Sequence, residues 1–186
     1  MKRKRLSESM EMILSIEPNL HIVTDNMVAE WGSMSYPQLS VILVHLKYLA
    51  ALHQNHHWTC AGDPYYGDHL LFERLYGDLI KEIDIVAEKA IGLGCTTNVD
   101  LRLQHLQLLK LIDGSASASM IPTSSDLAKK SLVAEMNFLA VMKRLCDSLN
   151  EYGLMTRGLD NLLADIEDKH EGHVYLLKQR ISKSLV

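Results

Sequence analysis

The sequence predicts an all-α fold: a four-helix bundle with a short crossover helix between its second and third long helices. Three observations lead there. Apolar residues recur at helical spacing in four stretches of roughly 24 residues each, long enough for a bundle about 36 Å tall. No stretch shows the period-two alternation of a half-buried strand. Proline, glycine and serine tracts fall between the periodic stretches, where a bundle needs its turns.

In chain order, residues 1–34 form a tail and extension. A short helix is expected around Ser7 to Ile16, broken by Pro18, with a second short segment ending near Trp31. Residues 35–186 form the bundle domain. Its first helix begins at Ser35 or Tyr36 with Pro37 in the first turn, and runs through a strongly apolar stretch to about Cys60. The AGDPYYGD segment is a loop that ends on Asp68 as the N-cap of the second helix, which stops at Gly92 or Gly94. The short crossover helix is VDLRLQHLQLLKLI, ended by the GSASAS tract. The third long helix runs from the Thr123–Asp126 cluster to about Asn150, and the last from Thr156 or Leu159 to about Ser182.

The chain has 186 residues, of which 47% are hydrophobic, and its mean hydropathy is near zero. These values predict one globular domain and exclude a disordered chain. No apolar run reaches membrane-spanning length, and the LSESMEMILSIEP segment is too polar for a secretory core, so a cytoplasmic location is expected. Cys60, Cys95 and Cys146 are widely spaced without a CxxC pair, which suits reduced, structural thiols. The net charge of −4 speaks against a wholly basic nucleic-acid-binding surface, although Lys2, Arg3, Lys4 and Arg5 concentrate positive charge at one end.

The chemistry lies between His57 and Glu88, where His57, His69, Glu73, Asp84 and Glu88 supply nitrogen and carboxylate ligands. On a helix, His69, Glu73, Asp84 and Glu88 fall within one arc of about 100°, beside the apolar arc of Phe72, Leu75, Tyr76, Leu79, Ile83, Val86 and Ala90. The site is therefore expected at the edge of the bundle. Glu73 and Asp84 stand about 16 Å apart along that helix, too far for one ion with bonds of about 2 Å. If all five are ligands, Asp84 and Glu88 come from a second copy. Two such helices antiparallel about a two-fold axis bring the pairs together. Gly77 then allows close approach, and Ile80, Ala87 and Ile91 supply an apolar contact.

The spacing of these residues, twelve from His57 to His69, four to Glu73, eleven to Asp84 and four to Glu88, with Trp58 beside His57, resembles the Dps family of mini-ferritins. The flanking GDHLLFERLY and EIDIVAEKAIGLG are similar to that family's second helix, and DKH followed by YLLKQRI to its last helix. The resemblance covers residues 36–94 and 166–181. It implies a ferritin-like bundle assembled into a hollow dodecamer, with ferroxidase sites at the two-fold interfaces. Carried over, His57, His69 and Glu73 are ligands from one subunit, and Asp84 and Glu88 from its neighbour; position 73 is often Asp in the family. Iron is the implied metal, oxidised from Fe(II) to Fe(III) with hydrogen peroxide as electron acceptor and stored as ferric oxide. Mixed histidine and carboxylate ligands suit that oxidation. The implied role is protection from peroxide and iron stress. Trp58 would lie near the iron, with interface packing as the other reading.

Several residues stay outside this pattern. Glu167 and His170 form an E-x-x-H pair of the kind that lines a di-iron site inside larger ferritin bundles. The first helix has no Glu between Pro37 and His57, and the second has no E-x-x-H. An intra-bundle di-iron centre is therefore not expected, and His170 reads as a satisfied core histidine beside Leu159, Ile166 and Leu177. His53, His56 and His173 receive no partners. At the family's three-fold pores Gly158 stands where many members carry Asp, leaving Asp160 and Asp165 as substitutes and the iron route open. Two other functions fit the sequence. One is a nucleoid-associated, DNA-compacting shell whose Lys2–Arg5 tail contacts phosphates, against which stand Glu8, Glu11 and the acidic body. The other is a shell that binds zinc or another divalent ion without turnover.

Overall fold

The structure, a computed structural model, describes residues 36–114 and 124–182. Among them are four long helices, α1 (Pro37–Thr59), α2 (Tyr65–Gly92), α4 (Ser124–Glu151) and α5 (Arg157–Ser182). A 3₁₀ turn (Thr96–Val99) and the short helix α3 (Leu101–Gly114) lie between the second and third long helices. No strand occurs among the described residues. This is the ferritin-like arrangement expected from the sequence. The basic tail, the expected helix around Ser7 to Ile16, and the serine tract after Gly114 lie outside the described residues.

Local chemistry explains most of the boundaries. Pro37 occupies the first turn of α1, where a missing N–H costs nothing. Gly94, at φ 81°, closes α2 with hydrogen bonds from Gly94 N to Ile91 O and from Cys95 N to Ala90 O, a glycine C-cap. One boundary corrects the sequence reading. Asp68 is not the N-cap of α2, which starts three residues earlier at Tyr65 with no side-chain cap. Asp68 is instead fully buried and forms a two-pronged ion pair with Arg180 of α5, whose Nη2 lies 3.0 Å from Asp68 Oδ2 while Nε donates to Oδ1. An acidic residue at a helix start looks the same in sequence whether it caps its own helix or answers a cation far along the chain.

The core is divided lengthwise. A large apolar block includes Leu39–Leu49 of α1, Leu79, Val86 and Ala90 of α2, Phe138–Leu149 of α4 and Leu159–Ile166 of α5. A smaller block joins Cys60, Phe72, Leu75, Leu127, Ala128 and Leu177. Read along each helix, α1 and α5 run from the large block to the small one, and α2 and α4 run the other way. Since α2 and α4 are parallel, the chain must travel back along the bundle between them. This is why a crossover segment is required there. The 3₁₀ turn and α3 begin that return against α1, where Gln104 Nε2 donates to Ser40 Oγ (2.9 Å) and to the Asn98 carbonyl (2.8 Å). Covered on all sides, α1 is buried almost without interruption from Gln38 to Leu46.

Apolar side chains also face outward. Ile80, Ile85 and Ile91 of α2 and Leu101, Leu106 and Leu109 of α3 are exposed, and a side chain at Gly77 would meet nothing. The three cysteines are free thiols, as expected. No helix among the described residues is long and apolar enough to cross a membrane.

The Asp68–Arg180 pair yields a stability prediction. Arg180→Leu strands a buried carboxylate, which costs about 3 kcal/mol, the lower end of the range for such pairs because the Arg180 side chain is 19% exposed. Urea unfolding measures it; a change under about 0.5 kcal/mol would mean the pair is idle.

Candidate metal centres

The expected surface set begins where α1 ends. His57 and His69 stack face to face, with ring centroids 3.8 Å apart and planes inclined by 25°. Each ring is anchored to the other residue's backbone: His57 Nδ1 lies 3.0 Å from the His69 carbonyl, and His69 Nδ1 lies 3.2 Å from the His57 carbonyl. A carbonyl can only accept, so both Nδ1 atoms carry the proton and both Nε2 lone pairs stay open to a metal. Tyr76 packs edge-on against His57, and Tyr65 lies over His69. Glu73 is exposed one turn beyond His69. Asp84 and Glu88 are also exposed, but lie further along the same unbroken helix. The chain thus brings His57, His69 and Glu73 to one end of α2 and leaves Asp84 and Glu88 apart from them. Trp58 is 68% exposed beside this end.

A second constellation occupies the layer between the two apolar blocks, and it gives partners to His53, His56 and His173, for which the sequence supplied none. Each of the four long helices contributes two polar groups at the same level. They are His53 and His56 from α1, Asp78 and Glu82 from α2, Ser131 and Glu135 from α4, and His170 and His173 from α5. Glu135 is the hub. Its Oε1 lies 2.7 Å from His53 Nε2 and 3.3 Å from His173 Nδ1, while its Oε2 accepts a short hydrogen bond from His170 Nδ1. His170 Nε2 donates to Glu82 Oε2 at 3.0 Å, and His173 Nε2 lies 3.5 Å from Asp78 Oδ2. Ser131 Oγ sits 3.1 Å from His53 Nδ1 and 2.8 Å from His56 Nδ1. Phe72 and Phe138, from opposite apolar blocks, pack on His56 and His170 and close the layer at both ends. Among the described residues, Glu135, His170 and His173 are the one group of three histidine or acidic residues whose ligand atoms lie within 4.8 Å of one another.

His170 is a satisfied core histidine, as expected, but His53, His56 and His173 have partners that the sequence did not supply. Glu167, the other half of the E-x-x-H pair, is outside the hydrogen-bonded set. A signal existed. Glu82 continues the buried stripe Leu75, Leu79, Val86 at spacings of three and four, and Glu135 does the same between Ala128 and Phe138. A carboxylate on a core stripe needs a buried partner. The layer carries histidines on α1 where the larger ferritins' pattern has a glutamate, and no E-x-x-H on α2.

Electrostatics sorts the protons. Burial keeps His53 neutral and pushes His56 down to about 3 and His45, deeper in α1, down to about 4. Burial also opposes charge on His170, yet hydrogen bonds to Glu135 and Glu82 outweigh it and raise this group to about 9. Burial likewise opposes charge on Glu135, but the three imidazoles around it hold its carboxyl well below the usual range. A neutral His53 that donates from Nε2 to Glu135 must accept from Ser131 at Nδ1, so His56 Nδ1 donates to Ser131. One directed chain, His56 to Ser131 to His53 to Glu135, satisfies every contact.

No family model matches the sequence, and no curated protein is significantly similar to it. Solved structures are similar. The Dps of Thermosynechococcus elongatus aligns with a TM-score of 0.66 at 17% identity, covering 91% of this chain and 94% of that one. A Listeria innocua Dps carrying two His-to-Gly substitutions gives 0.66 at 13% identity, over 79% and 93%. A Vibrio cholerae Dps, described as a member of a broad superfamily of ferritin-like diiron-carboxylate proteins, gives 0.63 at 16%, over 86% and 91%. The chain has the Dps fold.

The opposing histidines predict a pH optimum for the metal-free protein. His53, His56 and His45 are lowered from 6.5, so the unfolded chain gains their protons first and stability falls as the pH drops below about 6.5. His170 is raised, so its contribution is complete below 6.5 and is lost as the pH climbs through about 9. Melting temperature should peak near pH 6.5 in a series from about 5 to about 8.5. His170→Asn should flatten the alkaline side alone; an alkaline side unchanged by it would contradict the charge assignment.

Proposed function

We propose that this chain is a cytoplasmic mini-ferritin that oxidises Fe(II) at a site shared between two subunits, stores the product as ferric oxide, and so limits peroxide and iron stress. The observation that carries the reading is the His57–His69 pair. Two stacked imidazoles with Nδ1 fixed on backbone carbonyls and Nε2 open form a half-built metal site at the surface. Glu73 adds a carboxylate one turn away, and a second copy supplies Asp84 and Glu88. The exposed Ile80 and Ile91, with open space at Gly77, offer the surface on which two α2 helices can meet about a two-fold axis. The Dps fold together with the ligand spacing supports assembly into a dodecameric shell.

The chemistry matches the donors. Imidazole nitrogen holds Fe(II), and carboxylates favour Fe(III) once an electron leaves, so the site draws the reaction forward. Two Fe(II) ions reduce one hydrogen peroxide, which takes up two protons and departs as two waters. Trp58, exposed beside His57, is placed to intercept oxidising equivalents or to pack in the subunit contact. Asp160 is exposed at the start of α5 as an acidic group for iron entry, whereas Asp165 is engaged by Lys169 at 2.9 Å. The DNA-compacting alternative rests on Lys2, Arg3, Lys4 and Arg5, which lie outside the described residues.

Peroxide-driven Fe(II) oxidation followed by absorbance tests the reading. The pair His57→Gly with His69→Gly, and the pair Asp84→Ala with Glu88→Ala, should each lower the initial rate by about 10-fold or more. Co-expression of the two double variants should restore part of it, because some interfaces then combine one intact half-set from each chain. A wild-type rate in either double variant would remove the shared site from consideration. Zinc binding without iron turnover would favour the non-redox shell.

A further inference from the structure

We infer that the polar layer inside the bundle is a second, mononuclear metal site. In it Glu135, His170 and His173 bind one divalent transition-metal ion, with His53 hydrogen-bonded to Glu135 and Glu82 to the far nitrogen of His170 as the surrounding shell. This inference is independent of the surface ferroxidase reading, since it uses residues of one chain only.

Four observations carry it. The donors are assembled: three ligand atoms lie within 4.8 Å of one another, and the 3.3 Å between His173 Nδ1 and Glu135 Oε1 matches two ligands on one ion with bonds of about 2.1 Å. The donors are also dry, with Glu82, Glu135, His53 and His170 at most 1% exposed. Next, Glu82 is incompletely satisfied. Its Oε1 is buried with no hydrogen-bond partner, and Lys169 Nζ approaches it only to 3.8 Å. Buried carboxylates normally accept what they can, so an open oxygen at the rim of a histidine cluster has room for a further positive charge. Finally, the outer contacts are those of ligand histidines. His53 keeps Nδ1 on Ser131 Oγ while Nε2 points to the centre, and His173 keeps Nε2 toward Asp78 while Nδ1 points to it. The Asp78 side chain is 33% exposed and connects the layer to solvent, giving an ion a way in.

The donor set selects the ion. Two imidazoles and one carboxylate favour borderline metals such as Fe(II), Co(II) or Zn(II) over Mg(II) or Ca(II), which prefer oxygen ligands. The layer differs from a carboxylate-rich binuclear centre in having one hub carboxylate, Glu135, within reach of three rings. That geometry suits one ion rather than two.

Co(II) is the probe, because its ligand-field absorption reports nitrogen and oxygen coordination directly. The test protein carries His57→Gly, His69→Gly, Asp84→Ala and Glu88→Ala, which removes the surface ligands and leaves the layer intact. It should bind one Co(II) per chain, displaced by Zn(II), with a rise in melting temperature. Adding Glu135→Gln should weaken Co(II) by more than 100-fold, beyond the roughly 10–100-fold that losing an outer-shell partner costs. Should Glu135→Gln unfold the chain, His173→Gln decides instead, since its ring makes the longest contacts in the layer. A folded four-site variant that binds no Co(II), or one whose Co(II) is unchanged by the deciding layer substitution, would overturn the inference. Failure of the surface reading looks different: the four substitutions would then leave the wild-type Co(II) count unaltered.

Discussion

Everything in the bundle is registered against the carboxylate of Glu135. It touches His53 on α1 and both His170 and His173 on α5, and through His170 it is linked to Glu82 on α2. Apolar packing alone sets axial position poorly, because a leucine stripe shifted by one turn still meets leucines. A buried charge does not tolerate that shift: sliding any long helix by a turn would place Glu135 or Glu82 against hydrocarbon, at a cost of several kcal/mol. The polar layer therefore fixes the relative heights of the four helices, as a lone polar position fixes register in a coiled coil. With heights fixed, His57 and His69 are brought level at the end of α1, and their mutual backbone contacts can form.

Burying five imidazoles and carboxylates together is a poor way to gain stability, since well-packed hydrophobic residues of similar volume usually do as well or better. Two apolar blocks already hold the helices together on either side. A polar layer kept between them needs a role beyond cohesion, either register or ligand binding. Register would be served by a single pair. The layer holds eight polar groups from four helices, with one carboxylate oxygen left over, more than register demands.

How much was legible in the sequence follows from how each signal is encoded. Helix number, order and most ends could be read because each depends on neighbours within one or two turns: Pro37 at a start, Gly94 at an end, the apolar stripe of α2 between them. The His57–His69 pair was legible through the family resemblance that its spacing carries, and the short loop between the two helices lets the rings meet. The pairing of Asp68 with Arg180 spans 112 residues, and nothing near Asp68 announces it. The polar layer was hidden for a third reason. α1 is apolar on all sides, so its periodicity marks no inner face, and His53 and His56 could not be assigned a direction. Glu82 and Glu135 each looked like a single polar interruption in a core stripe, and only the fold shows that the two interruptions lie at one height.

The two candidate centres meet at the end of α1, where His53, His56 and His57 fall within five residues. His56 and His57 are one residue apart and therefore about 100° apart around the helix, so one points into the layer and the other out to the surface pair. Phe72 and Glu73 repeat the division on α2: the phenylalanine packs on His56, and the glutamate lies in the open near His69. Only the thickness of one helix separates the inner layer from the outer site. The inner layer and the outer histidine pair thus share the helices α1 and α2 while having no side chain in common.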